Sequence, residues 1–276
     1  MNLILTTARS HRQLLEPDAE ALAQHLGLPF VRRSHGLKRL IHAHGAWGAY
    51  VVSRDRHMVE TVWGEQLVVG PGMFYLKRID GHSHPLIRAV APADGAPVRR
   101  IWDGTLGLAG DALHLAHVLD ATVVGSEANP ILESLVREGL GRMGQEGKAW
   151  SAAARRVAVV GGLAQQWWAS QPDDSVPVVT LDLMFPEVRR ATTGFEVARR
   201  LAHGDPLQEE LLGQACRVAS RRVVVKWPGG VDAPEVVPPP LGRWNRRLRG
   251  KAVDYLVAEF ELEHPTVEMP DHGTPP

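Results

Sequence analysis

Val98-Arg99-Arg100-Ile101-Trp102-Asp103-Gly104-Thr105-Leu106-Gly107-Leu108-Ala109-Gly110-Asp111 is the stretch that decides the fold. An apolar run ends in a carboxylate, passes through a glycine-rich loop and opens into a helical pattern over 111–119, with Leu113, Ala116 and Leu119 on one side. The same rhythm repeats downstream. Residues 122–125 read as a second buried strand before a helix over 130–143, and 157–160 as a third strand before a helix over 164–169. A fourth strand over 176–183, a helix over 206–219 and a fifth strand over 222–226 complete the series. Near-continuous apolar strands alternating with helices predict a parallel sheet covered on both faces, a doubly wound, Rossmann-like α/β layer.

Outward from that layer the pattern changes. Pro238-Pro239-Pro240 breaks it, a clean strand is expected over 255–262, and 244–248 is expected to pair with it as a hairpin through Gly250. The last residues carry Pro, Gly and acidic groups without periodicity and are expected to form a mobile tail. At the other end, 3–6, 30–31, 49–52 and 59–62 read as short strands. Ala19, Leu22, Ala23 and Leu26 predict a helix from Pro17 to a stop at Gly27, with Asp18 and Glu20 in its first turn. A Pro/Gly/Ala stretch over 91–97 reads as a joint. The expected organisation is a small α+β domain over 1–95, the α/β domain over 96–262 and the tail over 263–276.

The 276 residues carry 31 Lys+Arg against 31 Asp+Glu, and 44% are apolar, enough for a real core and too balanced for a self-repelling disordered chain. Zero net charge removes the bulk attraction to nucleic acid, so any such contact has to come from local basic patches. The single cysteine, Cys216, excludes an intramolecular disulfide and a thiolate zinc site, and its apolar neighbours Leu211, Leu212 and Ala215 predict an inert buried thiol. With no signal-peptide pattern and no apolar run long enough to span a bilayer, the expectation is a cytoplasmic protein.

In a doubly wound sheet a ligand sits beyond the carboxyl ends of the strands. Gly104, Gly107 and Gly110 allow close backbone approach there, and the helix opening at Asp111 follows directly. The spacing is not the G-x-G-x-x-G of a dinucleotide site, and Asp103 would repel a pyrophosphate while holding an amino group. Glu127, 20 positions after Gly107, is placed to accept ribose hydroxyls. A nucleoside with an ammonium-bearing tail is S-adenosylmethionine. A turn and a helix start would also explain Asp103 and Asp111 without any ligand. On the fourth strand, Asp182 and Phe185 have the order expected of an acceptor for a base's exocyclic amine and an aromatic ring that stacks on it.

These segments, with Glu127-Ala128-Asn129-Pro130, Leu181-Asp182-Leu183-Met184-Phe185-Pro186 and Arg222-Val223-Val224-Val225-Lys226-Trp227-Pro228, resemble in order the motifs of the class I S-adenosylmethionine-dependent methyltransferases. That group includes the small-subunit ribosomal RNA guanine-N2 methyltransferase. Thr6-Thr7, Gly70-Pro71-Gly72-Met73-Phe74 and Pro85-Leu86-Ile87-Arg88 are similar to an uncharacterised branch with a small N-terminal domain. The resemblance implies a methyl transfer to an amine nitrogen, with Asp103, Gly104, Thr105, Gly107 and Asp111 at the cofactor and Glu127 at its ribose. It also implies Asp182 and Phe185 at the acceptor base as the catalytic pair; Leu183, Met184, Pro186 and Lys226 are expected around the substrate, with Lys226, at the end of the fifth strand, placed to face a phosphate. No metal is implied. Two departures stand out: Leu183 replaces the family's proline, and the third strand ends Gly161-Gly162-Leu163 where an acidic residue is usual, leaving Gln165 as the substitute acceptor for the adenine.

Ribosomal RNA as partner is expected to meet the basic hairpin of Arg243, Arg246, Arg247, Arg249 and Lys251; Arg32, Arg33, Lys38, Arg39, Lys77 and Arg78 are a second set that reads first as scattered surface charge, and no membrane contact is expected. A small metabolite or a protein side chain as acceptor, or a binding protein that has lost turnover, are the alternatives. Trp167-Trp168 is expected to put one indole into the core, and the histidine pairs give little case for a metal.

Overall fold

The structure, a computed structural model, describes residues 2–72, 80–92, 94–183, 195–202 and 204–260, with Phe195 as backbone only. Met184, Phe185, Pro186, Lys77, Arg78, the Met73-Phe74 pair and the 263–276 tail lie outside them.

Two sheets organise the chain. The first contains β1 (Leu3–Thr7), β2 (Gly48–Val52), β3 (Met58–Thr61) and β4 (Gln66–Leu67) in chain order. β1 and β2 run parallel, with Leu5 opposite Tyr50, and both are buried along their whole length. Their connection carries α1 (Arg12–Leu26) and α2 (Leu37–Ala43). Helix α1 starts five residues before the expected Pro17, which therefore sits inside it, and Asp18 and Glu20 are not in the first turn. The proline is tolerated because residues 12–14 are exposed, so the carbonyl that its missing N–H leaves over faces water. Gly27 closes α1 in the left-handed conformation, donating to the Ala23 and Gln24 carbonyls. Helix α2 was not apparent in the sequence pattern.

After α3 (Pro85–Val90), which covers one face of the second sheet, come β5 (Arg100–Asp103), α4 (Gly110–Val118), β6 (Thr122–Glu127), α5 (Pro130–Gln145), α6 (Ser151–Arg155), β7 (Val157–Gly161), α7 (Ala164–Trp168) and β8 (Val176–Leu181). Then follow α8 (Phe195–Leu201), α9 (Glu209–Val218), β9 (Ala219–Pro228), β10 (Arg246–Arg249) and β11 (Val253–Glu259). The seven strands lie in the order β10-β11-β9-β8-β5-β6-β7. β5 to β9 are parallel, and β10 and β11 form the expected antiparallel hairpin on the β9 edge. This is the doubly wound, Rossmann-like layer. The strand order reverses between β5 and β8, the switch point where such sheets bind ligands. Helix α9 is shorter than expected and leaves Pro206 outside, while α6 and α8 had no counterpart in the sequence reading.

One apolar cluster joins the two sheets, running through Leu5, Tyr50 and Leu67 to Ile87, Leu106, Leu140 and Val257. Gly139 on α5 makes room for Val69: a Cβ there would lie 2.6 Å from the valine. Tyr50 Oη meets Ser134 Oγ at 3.0 Å, and Arg142 donates to the Val69 carbonyl at 2.6 Å.

Candidate cofactor and acceptor site

At the switch point Asp103 pairs with Thr180, and the Gly104 N–H donates to the Thr180 carbonyl at 2.8 Å. A Cβ on Gly104 would lie 2.7 Å from both Leu181 and the buried Trp168 ring, so glycine is required by packing. Asp103 Oδ1 accepts from the Thr105 N–H (3.1 Å), which turns the chain out of β5. The Leu106 N–H then donates to the Ser126 carbonyl (2.8 Å), and its side chain lies on Gly125. Gly107 and Ala109 are both left-handed, at φ 52° and 59°; the alanine costs about 1–2 kcal/mol there.

Glu127, at the end of β6, holds this loop. Its Oε2 accepts the Gly107 N–H (3.0 Å) and its Oε1 the Asn129 N–H (2.8 Å). Asn129 in turn caps α5 by accepting from Ile131 and Leu132, with Pro130 at the first helical position. The spacing read as a ribose acceptor thus has a structural task as well. Each carboxylate oxygen has capacity for more than one hydrogen bond, so both tasks are compatible.

Asp103, Asp111 on α4 and Asp182 at the end of β8 converge on Lys226 of β9 in a narrow cleft partly open to solvent. Lys226 Nζ is ion-paired with Asp182 Oδ2 and lies 3.2 Å from Asp111 Oδ2. Lys226 Nζ therefore lies among the carboxylates of α4 and of the β8 end. Burial works against its charge, but Asp182, Tyr255 and Asp103 outweigh this and hold its pKa above the usual lysine value. Tyr255, buried on β11, is pushed up to about 12, chiefly by burial. The backbone N–H of Asp182 donates to Thr105 Oγ1 at 2.5 Å, tying the acceptor strand to the glycine loop. Leu86 of α3 also lines the cleft, a contribution with no signal in the sequence pattern. Leu183 is half-buried against the apolar cluster of Trp168 and Val225.

Three carboxylates around one ammonium leave a negative surplus, which suits a ligand carrying both an ammonium and a sulfonium charge. That charge balance is compatible with S-adenosylmethionine, which sets an ammonium and a sulfonium against one carboxylate.

At the third strand, the Gly161 carbonyl accepts from Trp167 Nε1 (2.8 Å), and Gln166 lies beside Gly162. Glu133 of α5 lies beside Gly161 at the same strand end. Trp168 is fully buried while Trp167 is 41% exposed, as expected for adjacent helical residues. Burial pushes the Cys216 thiol up to about 12, consistent with an inert group. His84 and His114 meet edge to face with ring centres 4.7 Å apart. In the hairpin, Arg246 pairs with Glu259 and Arg247 with Asp254, while Arg243, Arg249 and Lys251 are exposed. Arg32 is ion-paired with Glu16 and Glu20, and Arg33 donates to backbone carbonyls, while Lys77 and Arg78 of the second basic set lie outside the described residues.

Residues 70–240 match the family described as "Putative SAM-dependent methyltransferase". The chain belongs to that family. This methyltransferase is 31% identical over 229 residues to the uncharacterized protein YpiP of Bacillus subtilis (strain 168), covering 81% of this chain and 88% of that one. It is 31% identical over 224 residues to ribosomal RNA small subunit methyltransferase J of Thioalkalivibrio sulfidiphilus, covering 79% and 85%. The solved structure of the SAM-dependent methyltransferase NGO1261 from Neisseria gonorrhoeae superposes with a TM-score of 0.63 at 20% identity, covering 92% of this chain and 95% of that one. The methyltransferase uses S-adenosylmethionine as its cofactor, and the expected family and fold class stand. Among the described residues, no helix is long and apolar enough to cross a membrane, and no group of three or more His, Cys, Asp or Glu is arranged to hold a metal.

Proposed function

We propose that this methyltransferase acts on ribosomal RNA and transfers the methyl group to an amine nitrogen, the exocyclic N2 of a guanine. The observation that carries the reading is the placement of Asp182, whose carboxylate shares one cleft with the cofactor loop while Thr105 Oγ1 holds its backbone. The likeness to proteins named ribosomal RNA small subunit methyltransferase J supports RNA as the acceptor.

When bound, S-adenosylmethionine supplies a methyl group on a cationic sulfur. Asp182 accepts a hydrogen bond from the acceptor N–H and so turns the nitrogen lone pair toward that methyl. Lys226 fixes the carboxylate from its other side. Phe185 stacks on the flipped base, a contact worth about 1–3 kcal/mol. Leu183, Met184 and Pro186, beside Asp182 and Phe185 in the sequence, belong to the proposed substrate segment. Leu183 keeps the carbonyl that a proline would offer but adds an N–H and loosens the backbone. The chain's main contribution is positioning, which accounts for about 7–11 kcal/mol of barrier in well-oriented reactions. The exposed Arg243, Arg249 and Lys251 provide cations for the RNA backbone.

The test is transfer of labelled methyl from S-adenosylmethionine to unmodified small ribosomal subunits, followed by nucleoside analysis of the RNA. N2-methylguanosine is expected from the wild type, with loss of more than about 100-fold in Asp182→Ala and a smaller loss in Asp182→Asn. Label at another atom, or on a small amine in place of RNA, would remove the substrate assignment; full turnover by both variants would remove the role of Asp182.

A further inference from the structure

Arg200 on α8 lies over two indoles at once, 5.5 Å from the ring centre of Trp47 and 5.0 Å from that of Trp63. Trp47 is half-buried and packs against the main apolar cluster, whereas Trp63 is 60% exposed. The stack runs from the core outward and ends on an indole in water. On the same turn, Lys38 of α2 brings its ammonium onto Gly64: a Cβ on that glycine would lie 3.2 Å from Nζ. Lys38 and Arg200 are both exposed, and neither has a carboxylate partner among the described residues. This sets them apart from Arg32, Arg142, Arg156, Arg217, Arg246 and Arg247, each of which is ion-paired.

In a chain without net charge, two cations with no carboxylate partner among the described residues, beside an open aromatic ring, mark a local affinity for an anion that carries its own flat rings. A stacked cation holds the indole in place and raises the attraction of its surroundings for phosphate, while the ring accepts any base. An acidic peptide would satisfy the cations but has no use for the exposed ring. Arg200 also sits on the first described helix after the acceptor strand β8, so the chain itself connects this patch to the acceptor segment.

We propose that Trp63, Arg200 and Lys38 form a docking platform for a single-stranded stretch of the RNA substrate, with one base stacked on Trp63 and the neighbouring phosphates on the two cations. The proposal rests on RNA being the methyl acceptor. It gives the first sheet a defined part in substrate binding, remote from the transfer chemistry.

The experiment measures binding of a short unstructured single-stranded RNA by fluorescence anisotropy at several salt concentrations, beside calorimetric binding of S-adenosylmethionine and thermal melting. Trp63→Ala is expected to weaken RNA binding about tenfold and Trp63→Phe much less, at unchanged cofactor affinity and melting temperature. Lys38→Ala is expected to flatten the salt dependence by about 0.7 in the log–log slope. If wild type binds and methylates RNA and Trp63→Ala does so equally well, the platform belongs to some other partner and the proposal falls while the RNA reading stands. If wild type neither binds nor methylates RNA, the RNA reading itself falls and takes the platform with it.

Discussion

Lys226 and Asp182 are in direct ionic contact because of strand register. β8 and β9 pair with Leu181 opposite Val225, so the next residue of each strand, the carboxylate and the ammonium, meet where the sheet ends. Asp111 approaches the same ammonium from α4. The cofactor loop, the acceptor strand and β9 are thereby joined through one positive charge.

Replacing Lys226 with methionine removes that charge and leaves Asp111 and Asp182 facing each other. Breaking a fully buried pair costs about 3–5 kcal/mol, but Asp182 is 38% exposed, so a loss of about 1–3 kcal/mol in urea denaturation is expected. The site also becomes more negative. Affinity for S-adenosylmethionine should rise several-fold relative to uncharged-sulfur S-adenosylhomocysteine, while methyl transfer falls. Lys226→Arg should show neither change in the affinity ratio. An unchanged ratio in the methionine variant, read by calorimetry, would contradict the inward placement of the ammonium.

Alkaline pH should destabilise the fold through two neighbouring groups. Lys226 has a folded pKa above its unfolded value, so its contribution is complete below the unfolded pKa of 10.5 and disappears as pH rises through the folded value. Tyr255 ionises near 10 when unfolded and near 12 when folded, so it too favours unfolding as pH climbs across that window, by about 2–3 kcal/mol at its upper end. Stability measured from pH 9 to 12 should fall less steeply in Tyr255→Phe than in the wild type.

Glu127→Ala removes the acceptor of two backbone amides as well as the expected ribose contact. Calorimetry should show at least a tenfold loss of cofactor affinity, together with about 1–3 kcal/mol of lost stability. Glu127→Gln retains one acceptor oxygen and should fall between the two. Cofactor affinity equal to wild type in the alanine variant would remove Glu127 from the site.

Gly125 is the seat of Leu106, and a Cβ there would come within 2.4 Å of the leucine Cδ1. Gly125→Ala should lift the glycine loop from β6, costing about 1–3 kcal/mol and weakening cofactor binding more than a comparable change on the surface. A hydrogen-exchange comparison of 104–109 with the rest of the sheet checks where the disturbance lies.

Much of this was legible in the sequence because buried parallel strands leave a strong signal. The run ending at Leu181 is nearly all apolar, and those ending at Asp103 and Glu127 carry Ile101, Trp102, Val123 and Val124 ahead of helical spacing, so the layer and its ligand-binding end could be read directly. The hairpin was legible from alternation around Gly250. What stayed hidden depends on distant pairing. The ion pair of Lys226 with Asp182 was not legible because register with β8 is not encoded locally. The start of α1 was missed because Pro17 looks like a beginning and is in fact tolerated on an exposed turn. Leu86 reaches the cleft only because α3 packs across the second sheet.

Arg222 offers a different lesson. It is 1% exposed, at the start of the β9 core, and its guanidinium donates to the carbonyls of Ala89 and Ala91 and to Glu259. Burial lowers its pKa and Glu259 pulls it back. The end of α3 therefore behaves as an inner part of the sheet it covers. Genetic transplantation of the α/β layer would have to cut ahead of Pro85: a graft beginning at the expected domain start, residue 96, would strip a buried cation of both backbone acceptors and take Leu86 out of the wall of the cleft. The stretch that looks most like a seam is the wrong place to divide the molecule.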